Sequence, residues 1–517
     1  MAAVTLAAFV PALGNLFVDW DDGDTIVLNP LLAASLPELL SRAFGTLHGA
    51  FYIPLTWVSL WFDRQVWDLQ PLGFHLTNIL LHAWVALFVT LLALELQRIL
   101  EPSAGGWRSA SIAVLAGLLW SLHPLRVESV AWATERKDVL SAAFGLPALV
   151  LYLAYASAAA AGQRRRSDPR LWGASALAVL AMLAKPTFLV FPLALLVLDV
   201  WPLRRNERGE RWPALLLEKA PLLVLAGVDA ALTAIAQRPA LVPLGETPAL
   251  SRVLVAFKAI LEYLGMMVWP SGLMPYYLHP GATAQLGDPT YLLSIAAVLA
   301  ITAGAIGLRR RAPWLLATWL LFLLPLVPVL GLAQAGGQRI GDRFTYLPSI
   351  APSLLLAFGA AAFVGFLEPR LGRAARLAVG AASLAAVVGL LAVTQRLIPI
   401  WHDSGTLWTR VIEVLPGQVG KAYYFRARHL LYDGDPAGAL ADASRSLVLA
   451  REKGYRRTFE VRGLRAEALA ALGRLPEAAR EYMGAISEAP PEEAGRYDSA
   501  LREVLANSAA AAGEPAR

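Results

Sequence analysis

Cysteine is absent from this chain, which excludes disulfides and thiolate–metal sites; an oxidising compartment is compatible with that but not required. Charge is the second scarcity. Only 16% of the 517 residues are charged, where a soluble protein of this length carries roughly a quarter. Mean hydropathy is +0.53, so lipid must solvate most of the chain. The net charge of +6 does not argue for nucleic acid. Its basic residues fall in short runs between apolar segments, the pattern that encodes membrane orientation. Arginine far outnumbers lysine and alanine is abundant, which suits a bacterial gene.

A membrane-crossing helix needs about 20 mostly apolar residues. Eleven segments approach this: 3–18, 75–97, 109–122, 139–160, 171–184, 187–200, 213–236, 291–308, 313–332, 347–367 and 377–396. Arginine in five short connectors orients them: Arg98 and Arg108; Arg164, Arg165, Arg166 and Arg170; Arg204, Arg205, Arg208 and Arg211; Arg309, Arg310 and Arg311; Arg370, Arg373 and Arg376. All five connectors share one side if eleven spans alternate. Assigning that side to the cytoplasm puts the N-terminus inside and residues from 397 onward outside. Segment 251–269 would break the alternation if it crossed. It is therefore expected to lie on the outer surface as an amphipathic helix, with Arg252, Lys258 and Glu262 towards water. Segment 3–18 contains Pro11 and lacks both a basic leader and an A-x-A site, so a cleaved secretory signal is not expected. The outer connections 18–74, 123–138, 237–290 and 333–346 are long. Trp57, Trp61 and Trp67 in the first suit a helix at the headgroup level.

Beyond 397 the charge rises and the helices become amphipathic. Gly434 and Ala439 recur as Gly473 and Ala478, an offset of 39 residues, with small residues where two helices would cross and Pro490 closing the second unit. The pattern resembles tetratricopeptide helix pairs of about 34 residues, here with a longer loop between repeats. Two and a half units are few, so the array is expected to lean on the membrane domain and to offer a surface to a protein partner. The expected fold class is all-α: a polytopic membrane domain over 1–397, an extracytoplasmic tetratricopeptide-like domain over 398–505, and a disordered tail over 506–517.

Charges beside apolar spans are costly and point by default to function. Four groups stand at the expected outer ends of the spans. Asp19, Asp21, Asp22 and Asp24 follow the first span, where mutual repulsion raises their pKa values unless a cation intervenes. Such a carboxylate suits a general base for a hydroxyl acceptor; a solvated acidic turn explains it equally well. His123, Arg126, Glu128, Trp132, Glu135, Arg136, Lys137 and Asp138 crowd the next outer loop. Glu128, Trp132 and Glu135 would share one face of a continuous helix. Trp132 suits sugar stacking or membrane anchoring, and the charges alternatively form an interfacial salt-bridge network. His75, Asn78 and His82 line one face of the second span. They bind a ligand or merely link helices, and no complete metal-ligand set accompanies them. Lys185, Arg339 and Arg343 are cations at the depth where a lipid phosphate arrives, with Asp342 or lipid headgroups as their alternative partners.

The run of motifs resembles one bacterial family. Asp21-Asp22, His123-Pro-Leu-Arg-Val-Glu-Ser-Val-Ala-Trp, Glu135-Arg-Lys-Asp-Val-Leu, Ala184-Lys-Pro, Trp269-Pro-Ser-Gly-Leu and Gly341-Asp-Arg-Phe-Thr-Tyr-Leu-Pro are similar to those of the bacterial transmembrane and tetratricopeptide-repeat proteins. Their eukaryotic relatives are the protein O-mannosyltransferases of the C-type glycosyltransferase superfamily. The resemblance implies sugar transfer, mannose for example, from a polyprenyl-phosphate donor to a hydroxyl on a protein or glycan, at the outer face of a bacterial inner membrane. It implies that Asp21 or Asp22 is the base, Asp21 first. Glu128 and Asp138 match acidic positions of the second-loop motif, and His75, His123, Trp132 and Glu135 join them as candidates for acceptor or sugar binding. Lys185, Arg339 and Arg343 are assigned to the donor phosphate by their chemistry. No cofactor is obligatory for a monophosphate donor; a pyrophosphate-linked donor would call for a divalent cation. The competing reading is a non-catalytic membrane scaffold that displays a protein-binding repeat domain. A transporter ranks below both, because its polar residues belong near the bilayer midplane.

Overall fold

The computed structural model describes residues 1–48, 51–103, 105–159, 168–452 and 457–511. Arg164, Arg165 and Arg166 lie outside the described residues. The chain divides into two compact units, Met1–Leu16 with Asp22–Pro399, and Phe17–Asp21 with Ile400–Arg517.

The first unit contains helices α1 (Ala2–Phe9), α2 (Leu36–Gly45), α3 (Pro54–Trp67), α4 (Pro71–Leu100), α5 (Gly106–Ser121), α6 (Val127–Ala131), α7 (Arg136–Ala159), α8 (Pro169–Ala184), α9 (Phe191–Val200), α10 (Trp212–Ala236), α11 (Ala249–Val268), α12 (Pro289–Gly307), α13 (Pro313–Leu326), α14 (Ile350–Leu371) and α15 (Arg373–Leu397). Proline opens α3, α4, α8, α12 and α13, positions where its missing N–H costs nothing. Asp168 and Asp288 cap α8 and α12 by accepting from the Arg170 and Thr290 N–H groups. The central packing joins α7 to α8 and α4, α4 to α5, and α14 to α5. Two short strands, β1 (Tyr277–Leu278) and β2 (Gln338–Ile340), pair antiparallel and tie together two connecting segments.

Among the described residues, five helical stretches are long and apolar enough to cross a bilayer: Pro71–Leu100, Ala133–Ala158, Pro289–Gly307, Ile350–Leu371 and Arg373–Trp401. A sixth arises if Gly106–Ser121 and Pro124–Ala131, bent by 60°, form one broken span. Ala2–Gly14, Pro169–Ala184, Pro186–Val200 and Pro313–Val329 are apolar but shorter. Length and composition thus license five or six crossings against the eleven expected. The last two long helices bury only 22% and 11% of their most apolar windows, so hydrocarbon must cover the rest. This is an all-α membrane protein.

Segment 251–269 is helical, as α11, but its polar residues are not all turned to water. Arg252 is buried, and its guanidinium donates to the Thr247 and Val242 carbonyls at 3.0 and 2.6 Å. Lys258 lies over the Tyr291 ring at 5.2 Å, and Glu262 pairs with Arg339. The residues just before this helix supply the carbonyls the arginine needs. Of the three tryptophans expected at the headgroups, Trp57 is buried and Trp61 donates to the Ala34 carbonyl at 2.9 Å; Trp67 is the exposed one.

The second unit stacks α16 (Ser404–Val414), α17 (Gly420–Tyr432), α18 (Pro436–Glu452), α19 (Thr458–Ala471), α20 (Leu475–Glu488) and α21 (Pro491–Ala511), each against the next. Gly434 and Gly473 have φ of +86° and +74°. There the chain reverses after α17 and α19, with Asp435 and Arg474 N–H groups donating six residues' span back to Leu430 and Leu469 at 2.8 and 2.9 Å. Ala439 and Ala478 are fully buried at the helix crossings. Where a disordered tail was expected from 506, α21 continues to Ala511; residues 512–517 lie outside the described residues.

Candidate active site

The segment between α5 and α7 does not form one helix. His123 caps a 3₁₀ turn, Pro124–Arg126, by accepting from the Leu125 N–H at 3.3 Å. After α6, Trp132 is extended at ψ 120°, and a second 3₁₀ turn, Ala133–Glu135, leads into α7. The shared helical face expected for Glu128, Trp132 and Glu135 is therefore broken at Trp132. Tertiary contacts unite the three instead.

Arg343, in the connection before α14, joins them. The Glu128 carboxylate accepts from the Arg343 backbone N–H at 2.8 Å and from its guanidinium, and Arg343 Nε reaches Glu135 at 3.3 Å. The same guanidinium covers the Trp132 ring at 5.5 Å, and the Lys137 ammonium lies 5.8 Å from that ring. Trp132 is thus buried among cations rather than anchored in lipid. On the other side of Glu135, Lys185 in the turn after α8 donates to Asp138 at 2.6 Å and reaches Glu135 at 3.4 Å. Lys137 pairs with Glu135 at 3.1 Å. Burial alone would lower the Lys185 pKa, but the Asp138 and Glu135 carboxylates outweigh it and hold the ammonium above its ordinary value. Glu128, Trp132, Glu135, Asp138, Lys185 and Arg343 therefore form one largely buried constellation drawn from three connections and the first turn of α7.

Other candidates lie elsewhere. Arg339 is not in this network: its guanidinium pairs with Glu262 and covers the Tyr277 ring at 5.8 Å; it lies in β2, whereas Arg343 lies beyond the strand in the 3₁₀ turn Asp342–Thr345. The Tyr277 hydroxyl donates to Asp342 at 2.7 Å, and the charges of Arg126 and Arg343 act on the same carboxyl. Burial, and then the neighbouring Glu128 carboxylate, push the Asp342 carboxyl well above the usual range. His123 Nε2 donates to the Met267 carbonyl at 3.1 Å and fixes the loop to the end of α11. His75 is buried beside the backbone of Asn15 and Leu16. His82 bridges the Tyr346 hydroxyl at 2.8 Å and the Ser121 carbonyl at 3.0 Å. His123 and His82 thus link elements.

Asp22 is buried and accepts from the Thr134 N–H at 3.0 Å and its hydroxyl at 2.5 Å, one residue before Glu135. Asp21 is half-buried and belongs to the second compact unit, as does Asp19, whose partner is Arg428. Asp19 and Asp22 therefore answer to separate partners.

Sequence reasoning overlooked Asp63. It accepts from Arg136 at 2.6 Å, and Arg136 also donates to the Phe74 carbonyl at 2.8 Å and to Asn78. Asn78 in turn donates to the Trp132 carbonyl at 3.1 Å, so this ion pair braces the segment between α5 and α7 from behind. A single carboxylate in the tryptophan-rich stretch of α3 was the available signal. An apolar groove lies nearby, lined by Leu149, Thr187, Phe191, Leu347, Ile350 and Leu354 among others. Thr187 and Leu347 follow Lys185 and Arg343 closely in the chain. Among the described residues, no group of three histidine, aspartate or glutamate side chains is placed to hold a metal ion.

No family model matches the chain, and no solved structure matches it. Curated relatives do. A protein O-mannosyl-transferase of Caenorhabditis elegans is 28% identical over 162 residues, 30% of this chain and 22% of its own. The protein O-mannosyl-transferase TMTC2 of Homo sapiens is 31% identical over 180 residues, 33% of this chain and 20% of its own. The Tmtc1 protein of Drosophila melanogaster, likewise named a protein O-mannosyl-transferase, is 32% identical over 196 residues, 36% of this chain and 20% of its own. The chain thus spans about a fifth of the length of these relatives. Over about a third of its own length, it is related to proteins named protein O-mannosyl-transferases.

Proposed function

We propose that this protein is a membrane glycosyltransferase that moves a sugar, mannose by analogy with its relatives' names, from a polyprenyl-phosphate donor to a hydroxyl of a protein acceptor. The observation that carries this reading is the buried convergence of Lys185 and Arg343 with Glu128, Glu135 and Asp138, on the segment that also anchors Asp22. A scaffold has no use for a cation pair assembled from distant connections beside an apolar groove. In this reading the donor phosphate meets Lys185 and Arg343, and the isoprenoid chain occupies the groove. Lys185 has three N–H donors, two of which face Asp138 and Glu135. The three carboxylates then hold the cations in place rather than bind sugar, and His75 and His123 shape the site without touching substrate. Arg339 has no part in the clamp.

The reaction proceeds as follows. The Asp21 carboxylate takes the proton of the acceptor hydroxyl. That oxygen bonds to the anomeric carbon as the bond from carbon to the phosphate oxygen breaks. The departing lipid phosphate carries the charge that Lys185 and Arg343 stabilise. A monophosphate donor needs no divalent metal for this; a pyrophosphate donor would. The active face is the outer side of a bacterial inner membrane.

The test compares sugar transfer from polyprenyl-phosphate donors by membranes carrying native protein, Asp21→Asn or Asp22→Asn. Native membranes should transfer, and Asp21→Asn should lose about 10²-fold or more in rate, as expected for a missing base. Asp22→Asn keeps an oxygen for Thr134 and should lose far less. Equal behaviour of native and folded Asp21→Asn would sink the assignment of the base. No transfer by native membranes from any such donor would favour the scaffold reading.

A further inference from the structure

Arg126 ends the 3₁₀ turn Pro124–Arg126, two residues before Glu128, and is fully buried. Its Nη2 donates to the Thr345 hydroxyl at 2.7 Å. Thr345 in turn donates to the Asp342 carbonyl at 2.7 Å, in the same turn as Arg343. The guanidinium lies over two aromatic rings, Trp120 at 5.5 Å and Tyr346 at 5.3 Å. Those rings are themselves fixed. The Trp120 indole N–H donates to the Tyr346 carbonyl at 3.1 Å, and the Tyr346 hydroxyl is bonded to His82 at 2.8 Å. Arg126 Nε and Nη1 have no hydrogen-bond partner among the described residues.

Among the described residues, the other buried arginines are compensated. Arg136 holds Asp63, Arg205 holds Asp199, and Arg252 places Nε and Nη2 on backbone carbonyls. Two ring faces offset only part of the cost of enclosing a guanidinium; a missing counter-ion leaves the rest. The carboxyls that act on Arg126 from a distance do not supply one. Asp138 holds Lys185, while burial and Glu128 favour the uncharged form of Asp342. Lys185 and Arg343, by contrast, already face Asp138, Glu135 and Glu128. The charge those two cations offer an anion is therefore largely cancelled. Arg126 is the cation left without a counter-charge, on the segments that carry Glu128 and Arg343.

We propose that the counter-charge of Arg126 is the phosphate of the lipid-linked sugar: the fold encloses this guanidinium unpaired, and the charge is matched when the donor binds. The inference rests on the glycosyltransferase reading and on the phosphate meeting Lys185 and Arg343. Those two make the contacts, and Arg126 acts through its charge. When the bond from the anomeric carbon breaks, its electron pair stays on the phosphate oxygen. The phosphate then carries one more negative charge, so the attraction to Arg126 grows during the transfer.

The test measures thermal unfolding of the full-length protein in detergent, with farnesyl phosphate as the probe and farnesol and inorganic phosphate beside it. Farnesyl phosphate should raise the Tm of native protein and of Arg126→Lys, which keeps the charge. Arg126→Met is of similar length and uncharged, and its shift should shrink to that given by farnesol. Its apparent Kd for farnesyl phosphate should rise about 10-fold or more, the order of a unit charge acting across about 10 Å of protein. Thr345→Val keeps the charge but removes its brace, and should keep the native shift.

A native-sized shift in Arg126→Met would overturn the proposal; native membranes that still transfer sugar would then leave the glycosyltransferase reading standing. A shift lost equally in Thr345→Val and Arg126→Met would make the arginine a brace of the connection, which also overturns it. Inorganic phosphate giving the same Arg126-dependent shift as farnesyl phosphate would rule out the lipid as the source of the counter-charge. No shift of native protein, together with no sugar transfer, would remove the underlying reading itself. Should Arg126→Met fail to fold, Arg126→Gln, which can still donate to Thr345, decides on the same measurements.

Discussion

A carboxyl group enclosed by protein must find a cation or keep its proton. The candidate site contains both outcomes. Glu135 has Lys137, Lys185 and Arg343 around it. Asp342 is buried beside Glu128; burial first, and then that repulsion, raise its pKa well above the ordinary range, although the Tyr277 hydroxyl donates to it and partly offsets them. A carboxyl whose folded pKa exceeds its unfolded one stabilises the fold fully below the unfolded pKa, about 4. It loses that contribution as pH rises through the folded value. Native protein in detergent should therefore lose thermal stability relative to Asp342→Asn as pH is raised from about 4. The gap should change by about 1.4 kcal/mol per pH unit until the folded pKa is passed. Unfolding curves of both proteins across that interval check this; parallel curves would show that Asp342 is ionised in the fold.

Helices α7 and α9 approach through a 3₁₀ turn, Pro186–Val190, that carries the apolar groove onward from Lys185. The approach depends on Gly145 in α7. A Cβ there would meet the Phe188 ring at 1.7 Å, inside any tolerable contact. Gly145→Ala should force Phe188 aside and cost about 1–3 kcal/mol, the usual cost of overpacking. It should do so even though alanine is the better helix former. Phe188→Leu in the same chain should return part of the loss, since the smaller side chain makes room. Thermal unfolding of the two single variants and the double variant measures the coupling. Additive effects would mean that the ring is not the obstacle.

The absence of cysteine makes the orientation of the whole chain measurable without removing anything first. Arginine-rich connectors are expected inside and the C-terminal unit outside. Arg310→Cys probes a connector, and Ser499→Cys probes the exposed side of α21. An impermeant maleimide applied to intact spheroplasts should label the second and leave the first unlabelled until the membrane is opened. The reverse pattern would invert the topology and place the proposed reaction on the cytoplasmic face. The test also bears on the number of crossings. An even number between Arg310 and the C-terminal unit gives both positions the same accessibility.

Apolar length, charge scarcity and glycine spacing made the helices legible before any coordinates. These signals are local: a helix reports itself through its own neighbours in sequence, as α4, α14 and α15 do. The motif residues Glu128, Glu135, Asp138, Lys185 and Arg343 were legible as candidates for the related reason that charge beside an apolar span is costly. Three things were not legible. Arg339 and Arg343 look alike four residues apart, and only the pairing of β1 with β2 and the position of α11 send Arg339 to Glu262. Arg252 has the spacing of a water-facing residue, and the Thr247 and Val242 carbonyls just before its helix, with the Leu332 carbonyl 80 residues later, draw it inward. Asp19 and Asp21 are two residues apart in one acidic run, yet Asp19 answers to an arginine 409 positions later. Partner choice among buried charges is settled by long-range proximity in a low-dielectric interior, and no local pattern in the chain encodes it.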